Sequence, residues 1–192
     1  MSSIVTGGRR GRLAPAARRV FVVIAGVVLM VLAAKTQIPF WPVPMTLHTL
    51  AVMAFAVALG PRMAVSILVA YLALGAAGLP VFSGSPERGI GLAYLLGPTG
   101  GYLAGYLAAS WLVGTLASGR ALAGQFIAML VGLALVYAVG LAWLAWFVPV
   151  SQLAAVGLWP FLPGDLLKLG VVTAGSALLP TILPRLSAWW RS

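Results

Sequence analysis

The stretch Trp159-Pro160-Phe161-Leu162-Pro163-Gly164-Asp165-Leu166-Leu167-Lys168 opens a nearly uninterrupted apolar run to Pro184, and it holds one of only two acidic residues in 192. Two prolines and a glycine stop any earlier helix from running through, so a new helix is expected to begin near Asp165. Lys168 follows at i+3, on the same helical face. An acid and a base thus stand together at the mouth of a membrane helix, where ionisable side chains are costly and mark function by default. A plainer account is also open. Asp is a favoured helix N-cap that suits the positive end of the helix dipole, and Lys168 can snorkel to the headgroups. The two accounts are compatible, because a capping Asp can also hold a ligand.

The rest of the chain is consistent with a membrane setting. It is 62% hydrophobic and 7% charged, with a mean hydropathy of +1.08, whereas an ordinary soluble domain carries roughly 25% charged residues. The expectation is an all-α integral membrane protein. The absence of Cys excludes disulfides, thiolate metal sites and Cys nucleophiles. One His and two acids leave almost nothing for a metal cage or an acid/base dyad, so neither a cofactor nor catalysis is expected. The net charge of +10 does not signal nucleic acid, because the basic residues sit where apolar spans end.

A spanning helix needs about 20 residues, since a rise of roughly 1.5 Å each covers a core near 30 Å. On that ruler six spans are expected, at about 17–35, 46–60, 62–78, 92–117, 121–147 and 164–185. Residues 1–19 are Gly/Arg-rich and resemble the n-region of a signal peptide. No small-residue cleavage site follows the run Val20 to Ala34, so a retained first span is expected. The organisation is then a basic segment 1–19, one six-helix domain 20–188 and a tail 189–192. With both termini in the cytoplasm, Arg9, Arg10, Arg12, Arg18, Arg19, Arg62, Arg120, Arg185 and Arg191 fall inside, nine of the twelve basic residues. The remaining charges (Lys35, Glu87, Arg88, Asp165 and Lys168) all map to the outer side. There the connections are longest: Lys35 to Met45, with Gln37, Trp41 and three prolines; Leu79 to Leu92; and Pro149 to Gly164. An aromatic, sparsely charged outer face over a bundle fits a capture site for a small molecule with one anionic group.

Several side chains are candidates for that site. Thr46 and Thr49 are i, i+3 neighbours whose hydroxyls can face one cavity or bond back to helix carbonyls. His48, expected on another face, can meet a ligand or a neighbouring helix. Trp41 can be an interfacial belt residue or a stacking platform. In Gly97-Pro98-Thr99-Gly100-Gly101-Tyr102-Leu103-Ala104-Gly105 the helix should be interrupted. Gly97, Gly101 and Gly105 form small-xxx-small steps for close packing, leaving Pro98-Thr99-Gly100 to offer backbone groups. Arg88 and Lys35 can meet an anionic group, Arg88 through its bidentate fork, or remain solvated loop charges.

Taken together, VPMTLHTL (43–50), GLPVFSG (78–84), LLGPTGGYLAGY (95–106) and PFLPGDLLKL (160–169) resemble BioY. BioY is the biotin-specific substrate-binding subunit, or S component, of energy-coupling factor (ECF) transporters. The similarity covers nearly the whole chain from about residue 20. It departs at His48, where the family pattern has Gln, and in the first span, which has no clean Ala-xxx-Ala series. The resemblance implies a six-helix bundle of the ECF S-component type in the cell (inner) membrane, holding biotin under the loops after spans one and three. It implies as partners the lipid bilayer, a transmembrane coupling subunit and two cytoplasmic ABC-type ATPases. The binding residues it carries over are Asp165 and Lys168, then Thr46, Thr99 and Tyr102, then Arg88; Gly100, Trp41, His48 and Gln37 complete the candidate set. Rival expectations are an S component for thiamine or riboflavin, and an intramembrane enzyme using Asp165 or His48. The enzyme lacks a nucleophile–base pair at recognisable spacing.

Overall fold

Helix ends fall where Gly or Pro makes helix continuation costly. In the computed structural model, which describes residues 15–38 and 41–178, helix α1 spans Pro15–Lys35 and α2 spans His48–Leu59. Gly60, at φ 76°, then turns the chain directly into α3, Pro61–Ala76, with Pro61 in its first turn. Only a residue at ease with positive φ makes so short a helical hairpin. Next come a short α4, Gly91–Leu95, then α5, Gly100–Ala117, and α6, Leu122–Leu144. A 3-10 turn, Val150–Gln152, leads into α7, Leu153–Gly157, and the last described helix is α8, Leu162–Leu178. Expectations placed on Arg9, Arg10, Arg12, Pro39, Arg185, Arg191 and the tail 189–192 lie outside the described residues.

Several boundaries differ from the sequence reading. The interruption expected within the span 92–117 is present, between α4 and α5 at the Gly/Pro-rich segment, and other boundaries shift by a few residues. The last helix starts at Leu162, because Pro163 is tolerated in a first turn where its missing N–H has no helical partner to lose. The span expected from 46 starts at His48: Met45–Thr46 form a strand, β2, antiparallel to β1, Gln37–Ile38, with Gln37 opposite Thr46. This two-residue ladder is the sole β-structure among the described residues, so the fold is all-α but for it. By length and composition, Ala16–Lys35 and Leu122–Leu144 can cross a membrane, and α7–α8, bent by 41°, counts as a third if taken as one span. The six expected spans exceed what that measure supports, because α2 and α3 are shorter apolar helices.

α5 is the hub, packing on α2, α3 and most extensively on α6, while α8 sits against α2 and α6, and α1 against α2 and α3. Small residues allow the central contact. A side chain at Gly101 would collide with Trp143 and the Val139 carbonyl, and one at Gly105 would press on the Val136 backbone. On the α6 side, Gly140 accepts the Tyr102 ring and Gly132 the Val113 side chain. Gly97, expected to share this role, instead lies in the turn before α5, where its carbonyl accepts the Trp143 indole N–H at 2.9 Å.

Gly101→Ala is therefore expected to destabilise the protein by about 1–3 kcal/mol through overpacking. Gly170→Ala, with nothing within 4 Å of the added methyl, should be neutral or slightly stabilising. Thermal unfolding of the two variants in detergent, beside wild type, checks the contrast.

Candidate functional site

Asp165 lies in the first turn of α8, but it does not cap the helix. Its own N–H already makes the i→i−4 bond to Phe161 O at 2.9 Å. The carboxylate is buried and turned into the bundle. Oδ2 accepts the Tyr137 hydroxyl from α6 at 2.7 Å, and Oδ1 accepts Lys168 Nζ at 2.8 Å. The i, i+3 spacing brings the ammonium over the carboxylate. Lys168 does not snorkel, for Nζ also donates to the Thr46 carbonyl at 2.7 Å. The pair is only 19% and 8% exposed, for Lys168 and Asp165 respectively. Its position near the helix N-terminus adds the favourable end of the dipole to the carboxylate.

Around the pair is a pocket that includes Thr46, His48, Thr49, Ser83, Thr99, Tyr102, Tyr106, Tyr137 and Phe161, with Val43 and Pro44 above it. Its polar groups are held by neighbours. Tyr102 donates to Gly157 O at 2.8 Å, Thr49 Oγ1 and Tyr106 Oη are 3.0 Å apart, and Thr46 Oγ1 lies 2.8 Å from His48 Nδ1. The enclosed space is about 30 Å³, room for about one water. Pockets that take small ligands run to about 300–1,000 Å³, so a ligand must part the walls to enter.

Of the residues singled out from sequence, Asp165, Lys168, Thr46, His48, Thr49, Thr99 and Tyr102 come together at this pocket. The expectation that His48 and Thr46 occupy different faces is corrected: Thr46 is in β2, not on the helix, and its hydroxyl touches the imidazole. Gly100 is elsewhere, on an apolar groove of about 750 Å³ between α5 and α6. Part of the backbone of that turn is already engaged, for Gly100 N–H donates to Gly97 O and Thr99 O accepts from Tyr102 and Leu103. Trp41 is 75% exposed with the Arg88 guanidinium 5.7 Å from its ring centre, and Arg88 Nη1 donates to Pro42 O at 3.1 Å. Lys35 donates to Ser85 O at 2.8 Å. Arg88 therefore ties the connection 77–90 to Pro42, and Lys35 ties the same connection to the end of α1, rather than lining the pocket. Gln37 is the cross-strand partner of Thr46, and its Oε1 is buried without a hydrogen bond among the described residues.

Tyr137 and Tyr106 were missed from the sequence. A signal existed: Tyr106 follows Tyr102 at i+4, and Tyr137 is a hydroxyl deep inside an otherwise apolar span. Among the described residues no cluster of His, Cys, Asp or Glu could hold a metal.

A buried ion pair ringed by hydroxyls at one end of an apolar helical bundle defines a membrane protein with a pocket for a small polar-headed molecule. The comparisons with known proteins narrow that class. The chain belongs to the BioY family, whose family model matches residues 5–185. It is 34% identical over 152 residues to a probable biotin transporter BioY of Pyrococcus horikoshii, covering 79% of this chain and 90% of that protein. It is 37% identical over 145 residues to the biotin transporter BioY of Thermotoga maritima, covering 74% and 84%. It is also similar to a crystal structure of the S-component for biotin from an ECF-type ABC transporter. The TM-score is 0.73 at 26% identity, over 86% of this chain and 92% of that one.

Removing one member of a buried pair strands the other charge. Lys168→Met is expected to cost about 3 kcal/mol of stability, and the double variant Lys168→Met/Asp165→Asn less than the sum of the two single changes. Denaturation in a fixed detergent, run as a double-mutant cycle, measures that coupling.

Proposed function

We propose that this chain is the biotin-binding subunit of an ECF-type vitamin importer, capturing biotin at the outer face of the membrane. The observation that carries the reading is the Asp165–Lys168 pair, desolvated and aimed into a hydroxyl-lined pocket. Family membership and relatives that are transporters rather than enzymes support it. The ureido ring of biotin offers two N–H donors and one carbonyl acceptor. Asp165 accepts from an N–H, and Lys168 donates to the carbonyl. Thr46 and Thr99 add hydroxyl contacts, and Gln37, on the Thr46 face of the ladder, adds an acceptor. The apolar thioether ring packs on Tyr102, Tyr106 and Phe161. The valerate carboxylate is directed toward the clasped loops, where Arg88 and Lys35 supply the cations that a desolvated carboxylate needs and Trp41 shields them.

In this reading α1, α2, α3, α5, α6 and α8, with the breaks between them, make six crossings of one membrane domain, 20–188, between a basic segment 1–19 and a tail 189–192. Both termini lie in the cytoplasm. Arg19 and Arg62 border one cavity with Gly114 and Ser118, whereas Lys35, Arg88 and Lys168 bond to the connections above the pocket. That division of charge supports the orientation. No nucleotide-binding motif occurs in the sequence. The energy for inward release is therefore assigned to a transmembrane coupling subunit and two cytoplasmic ABC-type ATPases.

Calorimetric titration of the purified chain with biotin is expected to give tight 1:1 binding, competed by dethiobiotin and not by flavins or thiamine, with negligible ATP hydrolysis. Asp165→Asn should weaken binding about 30-fold or more, the loss of a charge-assisted hydrogen bond. Absence of any heat with biotin, or equal affinity for flavin, would overturn the assignment.

A further inference from the structure

The polar side chains of the pocket continue past its wall. Thr46 Oγ1 is 2.8 Å from His48 Nδ1, His48 Nε2 is 2.9 Å from the Tyr71 hydroxyl, and that hydroxyl donates to the Val81 carbonyl at 3.2 Å. Tyr71 has one proton to give. With Val81 O receiving it, Nε2–H must donate to the Tyr71 oxygen, which leaves Nδ1 of a neutral imidazole to accept from Thr46. All the bonds are then made at once and run in one direction, from the first outer connection across α2 and α3 to the second. We propose that His48 and Tyr71 are positioning residues. They form a strut that makes the connections 36–47 and 77–90 respond together when a ligand engages Asp165 and Lys168. This rests on the biotin-binding reading and adds to it the means by which the pocket closes.

Burial makes the strut cooperative. His48 is 4% exposed and Tyr71 fully buried, so breaking one bond leaves polar atoms without water to replace the lost partner. Both ends are anchored. At the pocket end Lys168 ties the Thr46 carbonyl to Asp165, so a ligand that draws on Lys168 acts on the same residue that begins the strut. At the far end the Tyr71 ring meets Phe82 edge-on at 5.5 Å, and Phe82 stacks on Tyr94 at 4.7 Å. The Tyr94 hydroxyl is itself 2.8 Å from Ser83 Oγ. Val81, Phe82 and Ser83 therefore move with Tyr71 or not at all. The Arg88 contact joins the same two connections from the outside, and Lys35 ties the second of them to the end of α1. Ser83 of the second connection also lines the pocket, and the strut is the hydrogen-bonded path between the two connections through α2 and α3. The space inside is about 30 Å³, so the pocket must widen to hold a ligand, and Val43, Pro44 and Thr46 of the first connection and Ser83 of the second are among its walls.

The test uses the full-length chain in lipid nanodiscs, with amide hydrogen exchange read over 36–47 and 77–90 with and without biotin, beside biotin dissociation rates. Wild type should show biotin-dependent slowing in both segments. Tyr71→Phe keeps the ring contacts and deletes only the hydroxyl. It should retain slowing in 36–47, lose it in 77–90, and release biotin about tenfold faster with little change in association rate. His48→Phe, which cuts the strut from the other side, carries the same expectation should Tyr71→Phe fold poorly. His48→Gln, whose amide nitrogen reaches the position of Nε2, should stay within about threefold of wild type. Slowing of 77–90 that persists in both Phe variants, or a dissociation rate they leave unchanged, overturns the strut. Wild type that binds biotin without slowing 77–90 overturns it too, while leaving the binding reading intact. Wild type that binds no biotin removes both.

Discussion

Asp165 and Lys168 are charges in a region with little water, and they are tolerable there only because their bonding is completed by parts of the chain far apart in sequence. Tyr137 comes from α6 and the Thr46 carbonyl from β2, while the pair itself rides on α8. Desolvation makes such a pair a weak source of net stability. It is nonetheless a strong constraint on geometry, because a half-bonded pair would be far worse than none. α8 must therefore seat against both α2 and α6, and α6 must present Tyr137 at the right height. The glycines of α5 and α6 set that height by letting the two backbones approach closely. The apolar packing and the polar pocket are thus two consequences of one arrangement.

Composition and helix punctuation were legible from residue types alone, and so was the i, i+3 acid–base pair, because each rests on local physics. The hairpin at Gly60-Pro61 and the break before α5 needed nothing beyond the conformational habits of Gly and Pro. Thr46 was misplaced because two strand residues pairing with Gln37–Ile38 leave no periodic trace. Its hydroxyl therefore meets His48 through a tight turn, and it shares the pocket with Thr49 without sharing a helix with it. Tyr137 carries only a weak signal, for a different reason. A single hydroxyl within α6 becomes meaningful only once α8 is known to bring a carboxylate within 2.7 Å of it.

Arg88 and Trp41 illustrate a further limit. Their residue types fit anion and ring recognition, yet the contacts they make include each other and the Pro42 carbonyl. Residue type indicates what a side chain can bind, whereas only the path of the chain decides what it meets first. Gly100 is the converse case: the motif around it is right for exposed backbone, but its own N–H is already held in a local turn bond.

The tightness of the pocket has a bearing on the electrical integrity of the bilayer. Ions cross proteins along files of water, and a chamber of about 30 Å³ closed in by Val43, Phe161, Tyr106 and Val136 cannot host such a file. An importer component residing in an energised membrane, where each elementary charge carries about 2.3 kcal/mol per 100 mV, would dissipate that gradient if it were a standing pore. Close contact of the pocket walls leaves no room at that point in the bundle for more than about one water.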